Sequence, residues 1–238
     1  MQLFYAPDIS GNVYVFPQDE SKHIVKVLRL KERDSIHITD GKGNLFTSEI
    51  VEADVRNCKV KITSKSFGQG KRNFSIHIAI APTKNIKRFE WFLEKCTEIG
   101  VDEITPLKCR YSEREHIKHD RLNRVVSAAM KQSLKTYVPV LNEMTDFNEF
   151  LNSDFDDQTC RYIALCDDLP KQHLKNAYIA GKDVVVIIGP EGDFSDEEKK
   201  SAEEKGFEPV TISSSRLRTE TAAVVACHAV NLLNEEDV

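Results

Sequence analysis

Short runs of alternating apolar and polar residues fill most of the first seventy positions of the chain. Their β-branched content predicts four strands, in NVYVF (12–16), SIHITD (35–40), LFTSEIVEA (45–53) and CKVKITS (58–64). Turn-forming residues from Asp40 to Asn44 predict a hairpin between the second and third strands. One helix, over about residues 20–29, interrupts the strands. Residues 1–68 are therefore predicted to form a small β-barrel or sandwich.

The pattern changes at Phe74, where strands begin to alternate with helices. Predicted strands cover residues 74–82, 103–109, 161–166, 183–189 and 209–213. Predicted helices cover residues 85–100, about 120–135 and about 170–180, and two more begin at Ser195 and Glu220. This alternation is typical of a mainly parallel sheet with helices on both faces, so residues 74–238 are predicted to form an α/β domain. The Gly-rich, basic segment 66–73 is the predicted linker.

The overall composition is that of a soluble globular protein, with 40% apolar and 30% charged residues among 238. No stretch reaches the roughly 20 apolar residues of a membrane span, and the first residues do not resemble a secretory leader. The six cysteines form no C-x-x-C pair and show no metal-ligand spacing. We therefore expect a cytoplasmic protein with reduced thiols, no metal and no membrane partner.

Charge is unevenly distributed along the chain. The net charge is −5, but residues 1–140 hold 24 Lys and Arg against 17 Asp and Glu, whereas residues 141–238 hold 9 against 21. A basic half beside an acidic half can mark a nucleic-acid-binding face next to a separately built site. Chance clustering on two solvated faces explains the same numbers, and charge alone does not choose between the two interpretations.

The most apolar predicted strand runs directly into Gly189-Pro190-Glu191-Gly192. Ligands of open α/β sheets bind beyond the carboxyl ends of the strands, and glycines permit torsions and close approaches that a Cβ forbids. Ser195 and Glu198 match a capping box, which starts the next helix. The segment is either a ligand loop or a plain connection from strand to helix. Phosphate-loop and dinucleotide-binding fingerprints are absent from the sequence.

A second loop, SSSRLRTETA (213–222), joins the last predicted strand to the last helix. Thr219 is a candidate N-cap, and Glu220 is an acid in the first helical turn, where the helix dipole favours it. A plain helix start explains both residues. It does not explain Arg216 and Arg218, two arginines in a short loop between buried elements.

Basic residues form the third group of candidates. Lys and Arg hold phosphates, although a solvated helix face looks the same, and for any single lysine that plainer interpretation is favoured. In the first predicted helix, His23, Lys26 and Arg29 recur at i, i+3 and i+6, which places them roughly on one helical side. The candidate nucleic-acid contacts are His23, Lys26, Arg29, Lys71, Arg72, Lys84, Lys87, Arg88, Lys131, Gln132 and Lys135.

Four segments together resemble the ribosomal RNA small subunit methyltransferase E family, within the SPOUT class of knotted methyltransferases. They are HIVKVLR (23–29), KRFEWFLEKCTEIGVDEITP (87–106), IGPEGDFSDEE (188–198) and LRTETA (217–222). Where the family has a second glycine after GPEG, this chain has Asp193. The resemblance implies an N-terminal PUA-like β-barrel for RNA, followed by a SPOUT-type, trefoil-knotted α/β domain that holds S-adenosylmethionine and forms a homodimer.

The same resemblance implies a reaction, which is methyl transfer from S-adenosylmethionine to N3 of a uridine in 16S ribosomal RNA. Guanidinium groups suit the uracil anion, so Arg218 is the first catalytic candidate and Arg216 the second. Glu220 is the candidate proton acceptor. The implied cofactor-binding residues are Leu165, Ile188, Gly189, Pro190, Glu191, Gly192, Ile212, Ser213, Leu217, Thr219, Thr221 and Ala222. Two alternatives stay open: a transfer-RNA methyltransferase of the same class, and a non-catalytic RNA-binding module.

Overall fold

The computed structural model describes residues 2–167 and 170–235. Residues 168–169 and 236–238, which fall in the predicted α/β domain, lie outside the described residues. The chain divides into two compact units, one made of residues 1–71 with 130–138 and the other of residues 72–129 with 139–238. The sequence pattern gives no sign that segment 130–138 belongs with the first unit.

The first unit is built on a curled, mostly antiparallel sheet. Its strands are β1 (Leu3–Tyr5), β2 (Val13–Val15), β3 (Ser35–Thr39), β4 (Leu45–Glu52) and β5 (Lys59–Ser66), in the order β1-β3-β4-β5-β2. β1 pairs with β3 in parallel, and the other pairs are antiparallel. Ile36, Ile38 and Ile50 belong to its buried core. The four predicted strands are confirmed, whereas β1 is too short to show a periodic pattern.

The predicted hairpin joins β3 to β4 and is confirmed. Asp40 Oδ1 accepts the backbone N–H of Lys42 at 2.8 Å and so holds the turn. Gly43 has a φ of 87°, and a Cβ at this position would lie 2.2 Å from the ring of Tyr137. Glycine is therefore required at this position. The Tyr137 ring beside the hairpin explains why segment 130–138 belongs with the first unit.

The helix of the first unit changes its hydrogen-bond pattern part-way along. α1 (Gln18–Lys22) continues as a π-helix over His23–Val27, so that the next backbone N–H donates to the carbonyl of His23, five residues back. Arg29 follows with a φ of 57°. The predicted helix therefore ends early. The wider π turn also means that His23, Lys26 and Arg29 do not share one α-helical side, and that expectation is wrong.

A parallel sheet forms the second unit. Its strands are β6 (Ile76–Ile80), β7 (Glu103–Lys108), β8 (Val140–Leu141), β9 (Thr145–Asp146), β10 (Cys160–Ala164), β11 (Gln172–His173), β12 (Val184–Ile188) and β13 (Glu208–Thr211). The order is β11-β13-β10-β12-β6-β7-β8, with β9 paired to β7. The described pairings are all parallel. The predicted α/β sheet is confirmed, and its central strand β12 is buried at every residue.

Helices cover both faces of this sheet. They are α2 (Ile86–Ile99), α4 (Phe147–Leu151), α5 (Leu174–Ala177), α6 (Asp196–Glu204) and α7 (Thr219–Asn234), while a further helix, α3 (His119–Gln132), runs into segment 130–138. α2 packs against α7, which also contacts β6 and β12. On one side, Phe147 of α4 and Ala202 of α6 share an apolar cluster with Val185 and Ile187 of β12. Because successive strand residues point to opposite faces, the alternate residues of β12 serve the other side.

Several boundaries differ from the predicted ones. The helix expected over about 170–180 is present but much shorter, because β11 comes first and α5 ends where Tyr178 becomes extended, with a ψ of 136°. The helix expected to residue 135 ends at Gln132, and Leu134 adopts a left-handed φ of 57°. β8, β9 and β11 have two residues each and α4 has five, which is too short for a periodic signal.

Candidate active site

A cavity of about 690 Å³ opens at the carboxyl ends of β13, β10 and β12, which are neighbours in the sheet. Residues 164–167 line it after β10, residues 188–191 with Asp193 after β12, and residues 211–219 with Ala222 after β13. The carboxyl ends of parallel strands meet at one edge of the sheet, so three loops that are distant in sequence share one cavity.

Ten of the twelve predicted cofactor-binding residues line this cavity: Leu165, Ile188, Gly189, Pro190, Glu191, Ile212, Ser213, Leu217, Thr219 and Ala222. Arg216 and Arg218 line it as well, whereas Gly192, Thr221 and Glu220 do not. The lining residues that the sequence did not suggest are Ala164, Cys166, Asp167, Asp193, Thr211, Ser214 and Ser215. Most of them adjoin a predicted residue in the same loop, so position after a strand is the signal that could have found them.

Both glycines of the GPEG loop (residues 189–192) pack closely against the protein's own side chains. A Cβ on Gly189 would lie 2.8 Å from the ring of Phe194, and one on Gly192 would lie 3.0 Å from Cβ of Tyr111. The left-handed torsion of this segment belongs instead to Asp193, with a φ of 62°. The expectation of special torsions at these two glycines is therefore wrong, because neither has a positive φ, and both pack closely against neighbouring side chains instead.

The GPEG loop is tied to the loop after β6. Glu191 Oε1 accepts the backbone N–H of Lys84 at 3.1 Å. Arg114 supports the same loop, since Nε donates to the carbonyl of Thr83 at 3.1 Å and Nη2 to that of Lys84 at 2.6 Å. The Glu191 side chain therefore helps to fix the wall of the cavity.

The predicted capping box is confirmed at the start of α6. Glu198 N–H donates to Ser195 Oγ at 3.2 Å, and Ser195 N–H donates to Glu198 Oε2 at 2.8 Å. The second oxygen of Glu198 accepts the backbone N–H of Arg110 at 2.8 Å. One buried carboxylate therefore caps α6 and also holds the loop that follows β7.

The start of α7 places two arginines at the cavity. Arg218 is the N-cap residue, without a side-chain capping bond, and Thr219 is the first helical residue and is buried. The expectation that Thr219 is the N-cap is therefore wrong. Arg216 and Arg218 are both exposed and line the cavity. Among residues 2–167 and 170–235, neither guanidinium makes a hydrogen bond or an ion pair, so both can meet a substrate.

Glu220 lies beside the cavity but not in its lining. Its side chain is 7% exposed, and Oε1 lies 3.8 Å from Nε of Arg88. Oε2 is buried and has no hydrogen-bond partner in the part of the chain that the structure describes. A buried acceptor without a donor costs free energy. The Oε2 atom of Glu220 can therefore accept a hydrogen bond from one further donor.

Charged side chains also connect two walls of the cavity, which the sequence did not indicate. Lys199 on α6 lies 3.4 Å from Asp167 and 3.5 Å from Asp193, measured from Nζ to Oδ2 in each case. Lys171 pairs with Asp167 at 2.5 Å. These pairs join the loop after β10, which carries Asp167 and Lys171, to the loop after β12, which carries Asp193, through Lys199 on α6.

In the first unit, Glu20 brings two of the predicted RNA-contact residues together. Lys131 Nζ lies 2.6 Å from Glu20 Oε1, and His23 Nδ1 lies 3.8 Å from Oε2 of the same carboxylate. Lys26 and Arg29 are exposed. The other candidates in this unit are Lys71, Gln132 and Lys135.

In the second unit, the remaining basic candidates differ in how their charge is used. Arg72 contacts Asp102, donates to Asn231 Oδ1 at 2.7 Å and lies over the ring of Phe74. Lys84 pairs with Glu113 at 2.6 Å. The others are Lys87, which is exposed, and Arg88, which faces Glu220. Their role as RNA contacts stays a prediction.

Within the described residues, the structure holds no helix long and apolar enough to cross a membrane. In the same part of the chain, no three His, Cys, Asp or Glu side chains converge on a possible metal position. Four of the six cysteines, Cys58, Cys96, Cys109 and Cys227, are buried, and all six are free thiols.

Known proteins are similar to this chain over nearly its whole length. Residues 70–231 match the RNA methyltransferase domain family, and residues 16–63 match the RNA methyltransferase PUA domain family. Ribosomal RNA small subunit methyltransferase E 2 of Borreliella burgdorferi is 30% identical over 222 residues, which cover 90% of this chain and 88% of that protein.

Two crystal structures share the fold. A probable rRNA-methyltransferase from Porphyromonas gingivalis is 42% identical, with a TM-score of 0.92 and 98% of each chain covered. A ribosomal RNA small subunit methyltransferase E from Neisseria gonorrhoeae, bound to S-adenosyl methionine, is 25% identical, with a TM-score of 0.86 and 98% of each chain covered.

Proposed function

The chain belongs to the ribosomal RNA small subunit methyltransferase E family, and from this membership we propose that it methylates N3 of one uridine in 16S ribosomal RNA. It is an S-adenosylmethionine-dependent methyltransferase of small-subunit ribosomal RNA. The observation that carries the residue-level proposal is the pair of exposed guanidinium groups, Arg216 and Arg218, at a strand-end cavity.

The cavity suits S-adenosylmethionine in size and in chemistry. Small-molecule pockets measure about 300–1,000 Å³, and this one measures about 690 Å³. Leu165, Ile212 and Leu217 offer apolar surface for an adenine ring. The backbone of residues 188–191 and the serines after β13 offer hydrogen-bonding groups. When bound, the cofactor supplies a methyl group that is activated on a sulfonium.

The chain must make uracil N3 nucleophilic. At neutral pH this nitrogen carries a proton, and its loss leaves a negative charge that spreads onto the ring oxygens. A guanidinium placed at those oxygens stabilises the charge as it develops. We assign this role to Arg218, because α7 fixes its backbone while its side chain stays exposed at the cavity. Arg216 is the alternative donor.

Glu220 is the proposed proton acceptor. A general base works within about 2.6–3.2 Å of the proton donor's heavy atom, or through one water. The free Oε2 atom is an available acceptor, and Arg88 beside Oε1 keeps a positive charge near the carboxylate. Since Glu220 does not line the cavity, a bridging water is the route that this geometry favours.

Family membership also supports the finer architecture. We propose that the first unit acts as a PUA-like RNA-binding barrel and that the second unit is a SPOUT-type domain with a trefoil knot. We also propose that the protein works in the cytoplasm as a homodimer. Leu232, 55% exposed on the apolar helix α7, supports the dimer.

The test is to incubate the protein with labelled S-adenosylmethionine and small subunits that lack the modification, and then to map the labelled base. Label on N3 of one 16S uridine is expected. Label on transfer RNA instead would favour the alternative substrate within the same class. A protein that takes up no S-adenosylmethionine in calorimetry would be a non-catalytic RNA-binding module.

A further inference from the structure

A chain of ion pairs runs along one side of the cavity. Lys199 Nζ lies within 3.5 Å of carboxylate oxygens on both Asp167 and Asp193, and Lys171 also pairs with Asp167. Both aspartates line the cavity. Asp167 belongs to the loop after β10, and Asp193 follows the GPEG loop after β12. One ammonium group therefore connects two loops that face the same space.

The position of Lys199 is explained by these carboxylates and not by its helix. α6 begins with Asp196, Glu197 and Glu198, and a helix N-terminus favours such acids and disfavours a cation. The Lys199 side chain is 20% exposed. Burial by itself would lower the pKa of Lys199, yet the neighbouring carboxylates, that of Asp193 first, outweigh it and raise the pKa. The ammonium therefore stays charged at its place between the loops.

Asp193 also adopts a conformation that needs support. Its φ of 62° is left-handed, a region that glycine enters freely and that other residues enter at a cost, least so for Asn and Asp. Its backbone N–H donates to the carbonyl of Pro190 at 3.0 Å, which closes a tight turn. The ion pair with Lys199 holds the carboxylate of this turn toward α6 and offsets that cost.

We propose that Lys199 is a positioning residue, whose ammonium sets the spacing between the loop after β10 and the GPEG loop. This inference rests on the proposed function, in which both loops hold S-adenosylmethionine. Without the ammonium, Asp193 loses its partner and the link between Asp193 and Asp167 is broken. The loops then separate and the cofactor binds a wider pocket. Lys199 does not touch the reacting groups, so the affinity changes and the rate of the bound complex does not.

Lys199→Met tests the proposal, because it keeps the unbranched stem and removes the charge. Loss of charge-assisted bonds of this kind is expected to weaken S-adenosylmethionine binding about tenfold in calorimetry. Single-turnover methylation at saturating cofactor should keep the wild-type rate, and Lys199→Arg should restore most of the affinity. Lys200→Met is the matched control, since this neighbour on α6 is 78% exposed and pairs with Glu204 on the same helix. It should bind the cofactor like the wild type.

Asp193→Asn provides an independent variant. Asparagine also tolerates a left-handed φ, so this change removes the charge and spares the backbone. Its affinity loss should be no larger than that of Lys199→Met, which also breaks the pair with Asp167. The double variant should lose little more than Lys199→Met alone, because both changes break the Lys199–Asp193 pair. Wild-type affinity in both single variants would overturn the positioning role. An equal loss in Lys200→Met would overturn it too, because overall charge would then be the cause. A wild-type protein that binds no S-adenosylmethionine would refute the proposed function and this inference together.

Discussion

Single residues around the cavity owe their roles to neighbours from other loops and helices. Phe194 packs against Gly189 and Tyr111 packs against Gly192, so that a Cβ on either glycine would meet a neighbouring side chain. Arg218 stands out as an unexplained charge between buried elements, and the structure leaves it unpaired within the described residues. Asp193 and Lys199 carry no motif, since each is an ordinary charged residue until their separation is known.

Arg218→Ala should slow the chemical step much more than it weakens cofactor binding. The guanidinium is proposed to act on an anion that exists only near the transition state. Losing one such donor typically costs about 2.7–4 kcal/mol, or roughly 100- to 1,000-fold in rate. The measurement is single-turnover methylation at saturating RNA and cofactor, in low and in moderate salt. Arg216→Ala, two residues away in the same loop, is the comparison and should have the smaller effect.

A competing role for Arg218 is a contact with an RNA phosphate. Such a contact would weaken RNA binding in a salt-dependent manner and leave the saturated rate unchanged. A wild-type rate at saturating RNA would therefore reassign Arg218 to RNA binding. A larger loss in Arg216→Ala would exchange the roles of the two arginines.

Gly189→Ala should destabilise the second unit. The new Cβ would lie 2.8 Å from the ring of Phe194, which is 3% exposed and has little room to move. Overpacking of this kind costs about 1–3 kcal/mol, which urea unfolding can measure. Phe194→Leu should cost less in the Gly189→Ala protein than in the wild type, because the smaller side chain relieves the clash. Additive effects would show that the ring is not the cause.

Secondary-structure elements were predictable where the pattern is long and its ends carry signals. β12 reads as an unbroken apolar run because both faces of a parallel strand are buried. α2 begins after Asn85, whose side chain accepts the N–H of Lys87, and ends at Gly100, which has a φ of 127°. The two-residue strands β8, β9 and β11 have too few residues to show a period. These strands are defined by their pairing with neighbouring strands, and that pairing joins residues that lie far apart in the sequence.

The start of α6 offers a quantitative comparison between local and tertiary contacts. Ser195→Ala removes the N-cap and should cost about 1 kcal/mol of stability. Glu198→Ala should cost more, because it also removes the bond to the Arg110 backbone, and a lost hydrogen bond to a charged group is worth about 1.5–3 kcal/mol. The control is Glu197→Ala, an exposed acid in the same turn. Equal losses for Ser195→Ala and Glu198→Ala, measured by urea unfolding, would mean that the Arg110 contact contributes nothing.

For the chain as a whole, two patterns were enough to predict two structurally different parts: alternating apolar and polar residues in the first, and alternating strands and helices in the second. They were not enough to assign segment 130–138, because its place depends on contacts such as that of Tyr137 with Gly43, nearly a hundred residues away. The basic excess of residues 1–140 agrees with an RNA partner, but part of it is used within the protein, as in the pairs Lys131–Glu20 and Arg72–Asp102. Residue counts cannot separate charges that are already paired from charges that remain available.

The protein should be a homodimer in solution, with α7 at the interface. This helix consists largely of Ala, Val and Leu, and it exposes Leu232 by 55% and Leu233 by 38%. An apolar surface of this kind is usually covered by a partner, and closed two-fold dimers are the commonest solution. Light scattering at micromolar concentration should return twice the chain mass of 27.1 kDa.

Leu232→Glu should shift the protein toward the monomer, because a charge in an apolar interface is costly. Val140→Glu, which alters an equally exposed residue on β8, should leave the dimer intact. A wild-type mass of one chain would exclude the dimer, and equal dissociation by both variants would place the interface elsewhere.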